Sequence, residues 1–200
     1  NNFFKTKTTK AAGKLKGRKV VITSGPTHEA IDPIRYITNH SSGKQGFAIA
    51  RALHEQGATT TLITGPTQIP DPPGIYVKHI TTAEEMLQSC LDCLPADIVV
   101  CTAAVSDWRI KNKYSEKIKK HGKVFSLELI ENPDILATVA GMKKNRPNLV
   151  IGFAAETQDL LENASIKLDK KGCDWILANN VSKDSGVFGG DNNQIKFISK

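Results

Sequence analysis

A polar loop near the amino terminus carries residues that are suited to binding anions. The run Asn39-His-Ser-Ser-Gly-Lys44 consists mostly of small and polar residues, and apolar residues at helical spacing follow it from Phe47. A helix start aims unpaired backbone N–H groups and the positive end of its dipole at whatever lies before it. The apolar run at 20–23 predicts a buried strand just ahead of this loop. The pattern therefore predicts a ligand loop between a strand and a helix.

The two familiar phosphate motifs are both missing from this loop. Gly43-x-x-Gly46 lacks the first glycine of G-x-G-x-x-G, and Lys44 is not followed by the Ser or Thr of a phosphate-binding P-loop. The alternative is that the two glycines only permit a tight turn and close packing of the helix on the sheet. The loop alone leaves both interpretations open.

Three further polar groups could act on a nucleotide, and each has a simpler alternative. Asp107 follows a predicted strand, where an acid can bind a metal-bridged phosphate, a base or a ribose, or can merely cap a turn. Lys117, with Lys119 and Lys120, could neutralise a polyphosphate as charge builds up, or could form a solvated surface run. Asn39 can donate and accept at once, which suits holding a carboxylate or carbonyl, but asparagine is also common in turns.

Other candidates are weaker, and covalent catalysis is disfavoured. Lys167 and Lys171 lie four apart, so one helix face could present both to a triphosphate, although surface lysines are ordinary there. Cys90-x-x-Cys93 has no second ligand pair, which favours free thiols over a zinc or redox site. No Ser-His-Asp or Cys-His arrangement is apparent, and the histidines lack metal-ligand spacing. Asn, Asp, Lys and backbone amides suit a reaction whose intermediate is made from the nucleotide itself.

The elements that must position these residues alternate between strands and helices. Apolar runs predict strands at 20–23, 60–64, 77–80, 98–102, 149–154, 175–178 and 194–199. Helices are predicted at 47–56, at 82–94 with a Thr82/Glu85 capping box, at 135–143 after an Asn132 cap and an N1 Pro133, and at 159–171 before Gly172. This order predicts an α/β fold with a doubly wound, mostly parallel, Rossmann-like sheet and helices on both faces. Ligands should sit beyond the carboxyl ends of its strands.

Composition supports one domain and excludes several classes of protein. The chain has 200 residues, of which 40% are hydrophobic, and no run of 18 apolar residues or secretory signal, so we expect a cytoplasmic protein without a membrane span. Residues 1–19 hold seven basic side chains and no acidic one, which leaves twenty of each sign in the remainder. We therefore predict a basic linker or leader at 1–18, a neutral domain at 19–200 and no nucleic-acid partner. The basic segment at 109–123 lacks hydrophobic periodicity and is predicted to be a mobile flap.

Seven segments in order resemble the phosphopantothenate–cysteine ligase family, in its bacterial, CTP-dependent form. They are Thr23-Ser-Gly-Pro-Thr27, Asp32-Pro-Ile-Arg-Tyr-Ile-Thr-Asn-His-Ser-Ser-Gly-Lys44, Ala103-Ala-Val-Ser-Asp107, Glu116-Lys-Ile-Lys-Lys120, Asn132-Pro-Asp-Ile135, Gly152-Phe-Ala-Ala-Glu-Thr157 and Asp191-Asn-Asn193. The resemblance implies a two-step reaction. The carboxylate of 4′-phosphopantothenate attacks the α-phosphate of CTP, and the amine of L-cysteine then displaces CMP from the acyl-cytidylate.

The resemblance also implies roles for individual residues. Asn39 would orient the acyl intermediate and Lys117 would stabilise charge on the phosphates, as the two catalytic residues. The acyl substrate would be bound by Asn39, Ser41, Ser42, Gly43 and Ala103. The nucleotide would be bound by Cys101, Thr102, Ala103, Asp107, Lys117, Pro133, Asp134, Ile135, Leu136, Phe153, Lys167 and Lys171. Mg²⁺ would accompany the nucleotide, but no carboxylate cluster identifies its ligands.

Members of this family form homodimers, and in many bacteria the domain follows a flavin-binding decarboxylase domain. The chain thus resembles the C-terminal half of a bifunctional flavoprotein, with FMN confined to the other half, and the family usually continues into a closing helix after the last strand. Two rivals remain. A nicotinamide-dependent oxidoreductase would need a ribose-binding acid after the second strand, where Thr64-Gly65-Pro66 offers none. A non-catalytic nucleotide-binding or nucleic-acid module would bind through the lysines without turnover.

Overall fold

The computed structural model describes residues 13–120, 122, 124–156, 158–180 and 194–200. The first twelve residues of the predicted leader, Thr157 and the motif at 191–193 lie outside the described residues. No helix within the described ranges has the length and apolar character that crossing a membrane requires.

The central feature is a seven-stranded sheet with two small hairpins beside it. The strands are β1 (Lys19–Ser24), β2 (His28–Ala30), β3 (Tyr36–Thr38), β4 (Thr59–Thr64), β5 (Tyr76–His79), β6 (Ile98–Cys101), β7 (Trp108–Ile110), β8 (Leu129–Glu131), β9 (Leu149–Glu156), β10 (Trp175–Asn180) and β11 (Ile195–Ser199). The sheet order is β11-β10-β9-β6-β1-β4-β5, and only β11 is antiparallel to its neighbour. The predicted mostly parallel sheet is confirmed.

Helices cover both faces of the sheet, as predicted. They are α1 (Lys44–Glu55), α2 (Ala83–Asp92), α3 (Ile135–Ala140) and α4 (Leu160–Lys171). On one face α1 buries Phe47 and Ala50 against Val20, Ile22 and Leu62. On the other face the three remaining helices share a second apolar cluster with the alternate residues of the same strands. This alternation produces the near-continuous apolar strands that the sequence shows.

The helix ends confirm two predictions and correct two others. The Thr82/Glu85 capping box is present, and Gly172 ends α4 in the left-handed conformation. The predicted cap at Asn132 and the N1 proline at Pro133 are wrong, because the side chain of Asp134 accepts the Ala137 N–H at 2.9 Å and is itself the N-cap. α1 begins at Lys44, three residues earlier than predicted, because its first turn is polar and lacks the apolar period.

Residues assigned to the leader already contact the folded part of the chain. The Leu15 N–H donates to the Gln56 carbonyl at 2.9 Å, and the Leu15 side chain packs against the α1 face of the core. Arg18 forms an ion pair with Asp97 at 2.8 Å. The domain boundary at 18/19 stays a prediction, but ordered contacts begin ahead of it.

Candidate functional site

The candidate site lies where the sheet changes its direction of winding. β4 lies on one side of β1 and β6 on the other, so the loops after β1 and β6 diverge and leave a crevice at their carboxyl ends. Thr102 is held there, since its Oγ1 donates to the Thr23 carbonyl at 2.6 Å and the Ala103 N–H donates to the Thr23 Oγ1 at 3.3 Å. Two predicted nucleotide-binding positions therefore lie at this switch point.

The loop after β1 contains the hairpin of β2 and β3 and brings Asn39 to the loop after β6. The Asn39 Nδ2 donates to the Val105 carbonyl at 2.9 Å. Nearby, Thr38 Oγ1 donates to the Thr27 carbonyl at 2.8 Å, and Thr27 Oγ1 accepts the Ser106 N–H at 3.0 Å. The predicted catalytic asparagine is thus exposed at the crevice, with a fixed position beside the second loop.

The start of α1 packs tightly into the same crevice. Gly43 is the N-cap with φ 75°, and its N–H donates to the Ser41 Oγ at 3.2 Å. The Lys44 N–H points at the Ser42 Oγ at 3.4 Å. A Cβ atom on Gly46 would lie 2.4 Å from the Ser24 Oγ and 2.6 Å from the Thr102 Oγ1. Both glycine roles considered for this loop are therefore compatible with the structure: close packing, and a helix start at the crevice.

A hydrogen-bonded connection continues from the loop after β6 to the start of α3. Asn132 Nδ2 donates to the Ser106 carbonyl at 2.8 Å, and the Asn132 N–H donates to the Asp107 carbonyl at 2.8 Å. These bonds close the β7–β8 hairpin and place Pro133 next to the crevice. The Asp107 side chain is exposed, so its carboxylate faces solvent where a ligand would lie.

Lys171 and Lys167 lie near the carboxylate that caps α3. Lys171 Nζ forms an ion pair with Asp134, whose other oxygen caps the helix. Partial burial raises the pKa of Asp134, but the hydrogen bonds from Lys171 and Ala137 and the charges of Lys171 and Lys167 outweigh it, so the net pKa lies below its ordinary value. The predicted pair of lysines is thus brought together with Asp134, and Ile135 and Leu136 are buried in the core behind it.

Two predicted nucleotide positions are largely interior. Phe153 is half-buried in β9 and packs with the α1-face cluster. Burial raises the pKa of the Cys101 thiol to about 12, so this group is neutral at physiological pH. Any contact of Cys101 with a ligand would therefore be apolar or through its backbone.

The described part of the basic segment contains a strand and tertiary contacts that the predicted flap did not include. Its first residues, Arg109 and Ile110, form strand β7, and Arg109 pairs with Glu84 at 3.0 Å, so the flap prediction is wrong there. The reason is that Ile110 is buried, which anchors the strand although its neighbours are charged. Farther along, Lys117 is exposed, while the backbone of Ile118 is bonded to Asp32 and Arg35.

Sequence reasoning assigned no role to three residues that organise the site. Asp32 and Arg35 form an ion pair within the first loop, in which the Asp32 side chain is buried and that of Arg35 is exposed. Glu29 is 1% exposed, and its Oε1 accepts the Ala83 N–H at 2.9 Å, which ties β2 to the start of α2. Glu29 Oε2 has no hydrogen-bond partner among the described residues. The signal that could have identified Glu29 and Asp32 is an acidic residue inside an otherwise apolar or turn-forming stretch.

Among the described residues, no cluster of metal-ligating side chains marks the site. Within the described ranges, no group of three His, Cys, Asp or Glu side chains could hold a metal ion. A groove of about 580 Å³ runs between α2 and the β7–β8 hairpin, and of the predicted site residues Pro133 lines it. The crevice is therefore an open surface whose ligand would be held by loop groups.

Comparison with known proteins identifies close relatives. The family model described as DNA/pantothenate metabolism flavoprotein C-terminal domain matches residues 15–200. The Coenzyme A biosynthesis bifunctional protein CoaBC of Haemophilus influenzae is 46% identical over 187 residues, which are 93% of this chain and 46% of the relative. The CoaBC protein of Escherichia coli is 44% identical over 185 residues, 90% of this chain and 45% of the relative. The chain thus spans about half the length of the curated relatives it matches.

Solved structures agree with this comparison. The C-terminal domain of a CoaBC protein has a TM-score of 0.73 and 36% identity, with 92% of this chain and 87% of that chain covered. The DNA/pantothenate metabolism flavoprotein from Streptococcus pneumoniae has a TM-score of 0.74 and 27% identity, with 92% and 93% covered. A Cab2 mutant in complex with phosphopantothenate-cysteine has a TM-score of 0.69 at 18% identity, covering 91% and 76%, and shares the fold.

Proposed function

Since the chain belongs to the DNA/pantothenate metabolism flavoprotein C-terminal domain family, we propose that it is the ligase that joins 4′-phosphopantothenate to L-cysteine for coenzyme A biosynthesis. The observation that carries the proposal is the Asn39 to Val105 hydrogen bond, which joins the acyl-binding loop to the nucleotide-binding loop across the switch point. Both steps of the reaction can then take place in one crevice.

In the first step, a carboxylate oxygen of 4′-phosphopantothenate forms a bond to the α-phosphorus of CTP. The bond from that phosphorus to the bridging oxygen breaks, and pyrophosphate leaves. Lys117 is exposed beside a fixed backbone and supplies positive charge as the pyrophosphate separates. Asp134 already fills the start of α3 and pairs with Lys171, so Asp134, Lys167 and Lys171 together leave one net positive charge on that side, and the lysines rather than helix N–H groups supply it.

The nucleotide would lie across the carboxyl ends of β6 and β9. The hydroxyl of Thr102 is already engaged with the Thr23 carbonyl. The backbone of residues 101–103 and the half-buried face of Phe153 therefore present the contacts for the cytidine, with Pro133–Leu136 at its phosphate end. CTP rather than ATP is proposed on the Asn-Pro-Asp-Ile and Lys-x-Lys-Lys pattern.

In the second step, the amine of L-cysteine attacks the acyl carbon. The C–N bond forms, the bond from the acyl carbon to the CMP oxygen breaks, and the amine proton passes to solvent. Asn39 keeps its amide oxygen available, because its Nδ2 is engaged with Val105, and that oxygen can accept a hydrogen bond from the attacking amine. Ser41, Ser42, Gly43 and Ala103 would hold the acyl group beside it.

Mg²⁺ fits this site only as a companion of the nucleotide. The described residues form no three-ligand cluster, but Mg²⁺ typically uses one or two carboxylates and the substrate phosphates. Asp107, exposed at the crevice, is the residue that would contact the nucleotide or its metal. When bound, the ion would neutralise phosphate charge.

We also propose that the protein is cytoplasmic and forms a homodimer, the homodimer being what the family resemblance implies.

The structure gives no support to the oxidoreductase alternative. That function needs an acid at the end of β4 to bind a ribose. The residue there is Thr64, which is fully buried and donates to the Gly65 carbonyl.

The test is pyrophosphate release from the purified protein with 4′-phosphopantothenate and Mg²⁺, with CTP and ATP compared, followed by addition of L-cysteine. We expect pyrophosphate with CTP and the amide product only after L-cysteine is added. Release with ATP alone would refute the nucleotide assignment. CTP binding in calorimetry without any release would favour the non-catalytic binding module.

A further inference from the structure

The basic segment is attached to the first loop through the backbone of one residue. The Ile118 N–H donates to the Asp32 Oδ2 at 3.2 Å, and the Ile118 carbonyl accepts from the Arg35 Nη2 at 3.0 Å. A second attachment lies nearby, where the Tyr114 N–H donates to the Ile31 carbonyl at 3.0 Å. Both polar backbone groups of Ile118 are therefore fixed by one ion pair.

Several hydrogen bonds fix the ion pair of Asp32 and Arg35, which is called the holder below. The Asp32 side chain has no exposed surface, whereas that of Arg35 is 45% exposed. Asp32 Oδ1 accepts the N–H groups of Ile34 and Arg35, each at 2.9 Å, and Oδ2 accepts from the Arg35 Nε at 2.9 Å. The Arg35 hydrogen bond holds the pKa of Asp32 far below its usual range, so the carboxylate is charged at any pH where the protein works.

The holder matters because of what lies on either side of it. Lys117 immediately precedes Ile118, and a lysine has a flexible stem that loses rotamer freedom when it is ordered. Fixing the adjacent backbone removes part of the freedom that would otherwise be lost when Lys117 meets phosphate. Arg35 directly precedes β3 of the hairpin, and Asn39 directly follows that strand. One hairpin thus fixes the positions of both proposed catalytic groups.

We propose that Asp32 and Arg35 are positioning residues that lock the backbone beside Lys117 for the nucleotide-activation step. This inference rests on the proposed ligase function, and the name latch is used below for the contacts of Asp32 and Arg35 with Ile118. The latch acts through Lys117 and touches no substrate itself.

The variant that releases the latch with little change in volume is Asp32→Asn. Oδ2 accepts from both the Ile118 N–H and the Arg35 guanidinium, so an amide nitrogen at that position loses both contacts. An amide nitrogen at the Oδ1 position instead loses the bonds from the Ile34 and Arg35 N–H groups, and in either orientation the neutral side chain no longer pairs with the charge of Arg35. We expect kcat for CTP-dependent pyrophosphate release to fall about tenfold to a hundredfold, as for a misplaced catalytic group.

The decisive measurement is a double-mutant cycle with Lys117→Ala. If Asp32 acts through Lys117, then Asp32→Asn lowers kcat by less than about twofold when Lys117 is already absent, because interacting residues are not additive. The same fold loss in both backgrounds would overturn the proposal. A general loss of folding would also act equally in both, so the cycle separates positioning from stability.

Asp174→Asn is the matched control. Asp174 pairs with Arg146 at 3.0 Å and accepts a backbone N–H, that of Val150, at 2.7 Å, which repeats the chemistry of the latch at the other end of the sheet. We expect it to lower the melting temperature with kcat unchanged. Equal losses of kcat in the Asp32 and Asp174 variants would count against a specific latch.

Limited proteolysis keeps the latch testable if the function is wrong. Trypsin cleavage after Lys117, followed by mass spectrometry, should be faster in Asp32→Asn than in wild type and in Asp174→Asn, because the segment is no longer held. Unchanged cleavage would overturn the latch even in an active enzyme. No pyrophosphate release from wild type, together with faster cleavage in Asp32→Asn, would refute the function and keep the latch.

Discussion

Substituting Gly46 with alanine tests how closely α1 must approach the crevice. The added Cβ would lie 2.4 Å from the Ser24 Oγ, 2.5 Å from the Ser24 Cβ and 2.6 Å from the Thr102 Oγ1. Ordinary contacts between carbon atoms are about 3.5–4.0 Å, so about 1 Å of movement is needed. Neither neighbour can simply rotate away, because Ser24 Oγ donates to the Gly43 carbonyl and Thr102 Oγ1 to the Thr23 carbonyl.

The expected cost follows from two opposing terms. Overpacking of a tight site costs about 1–3 kcal/mol, and alanine regains at most about 1 kcal/mol of helix propensity over glycine. Subtracting the full gain leaves a net loss of up to about 2 kcal/mol, or up to roughly 8 °C in melting temperature for a domain of this size. Since the displaced helix start lines the crevice, we also expect turnover to fall by up to about a hundredfold.

The assay is thermal unfolding together with pyrophosphate release. Gly141→Ala is the control, because Gly141 ends α3 with φ −83° and a Cβ there would have only one atom, the Ala137 carbonyl oxygen at 3.1 Å, closer than 4.0 Å. We expect the control to stay close to wild type in both measurements. If Gly46→Ala melts at or above the wild-type temperature and keeps full turnover, then the close approach of α1 has no role and the reasoning fails.

Three further predictions concern single residues. Asn39→Ala should leave CTP-dependent pyrophosphate release within about threefold but lower amide formation by at least about tenfold, because Asn39 acts after activation; equal losses in both steps, measured on one sample, would contradict that order. Asp32 has a depressed folded pKa, so its stabilisation is complete above the ordinary value of 3.8 and is lost as the pH falls below that value. The melting temperatures of wild type and Asp32→Asn should therefore converge below pH 3.8, and a constant difference would contradict the assigned cause. Cys93 is partly exposed whereas Cys90 and Cys173 are buried, and burial raises the pKa of all three thiols, so alkylation at pH 8 should be slow and should modify Cys93 before Cys90 and Cys173, as mass spectrometry of native and denatured protein would show.

Strand positions were predictable because each is a short apolar run between turn residues. The seven predicted strands of the main sheet match the observed ones to within two residues. For the central strands the reason is burial on both faces, which leaves no competing pattern. The hairpins were not predicted. β2 includes Glu29 and β7 includes Arg109, and both side chains are charged partners of α2, so hydrophobic periodicity carries no signal for them.

The candidate site was predictable as a set of loops, but its internal contacts were not. Strand order places Thr23 beside Cys101 and so predicts that the loops after β1 and β6 meet. By contrast, the bond from Arg35 to Ile118 depends on how an 83-residue interval folds back. The cap at Asp134 was missed because Asn132 has equal capping propensity, and only the Ser106 carbonyl, a tertiary partner, decides between them.

The hydrogen bonds at the switch point join residues that are far apart along the chain. Thr23 and Thr102, and Thr27 and Ser106, are each separated by 79 positions, and Arg35 and Ile118 by 83. Loop-closure entropy must be overcome before such contacts form, so they belong to the slow, late part of folding. No short segment of the chain contains both partners of any of these three contacts. During synthesis, the first loop must therefore wait for these partners until residues 102–118 have been made.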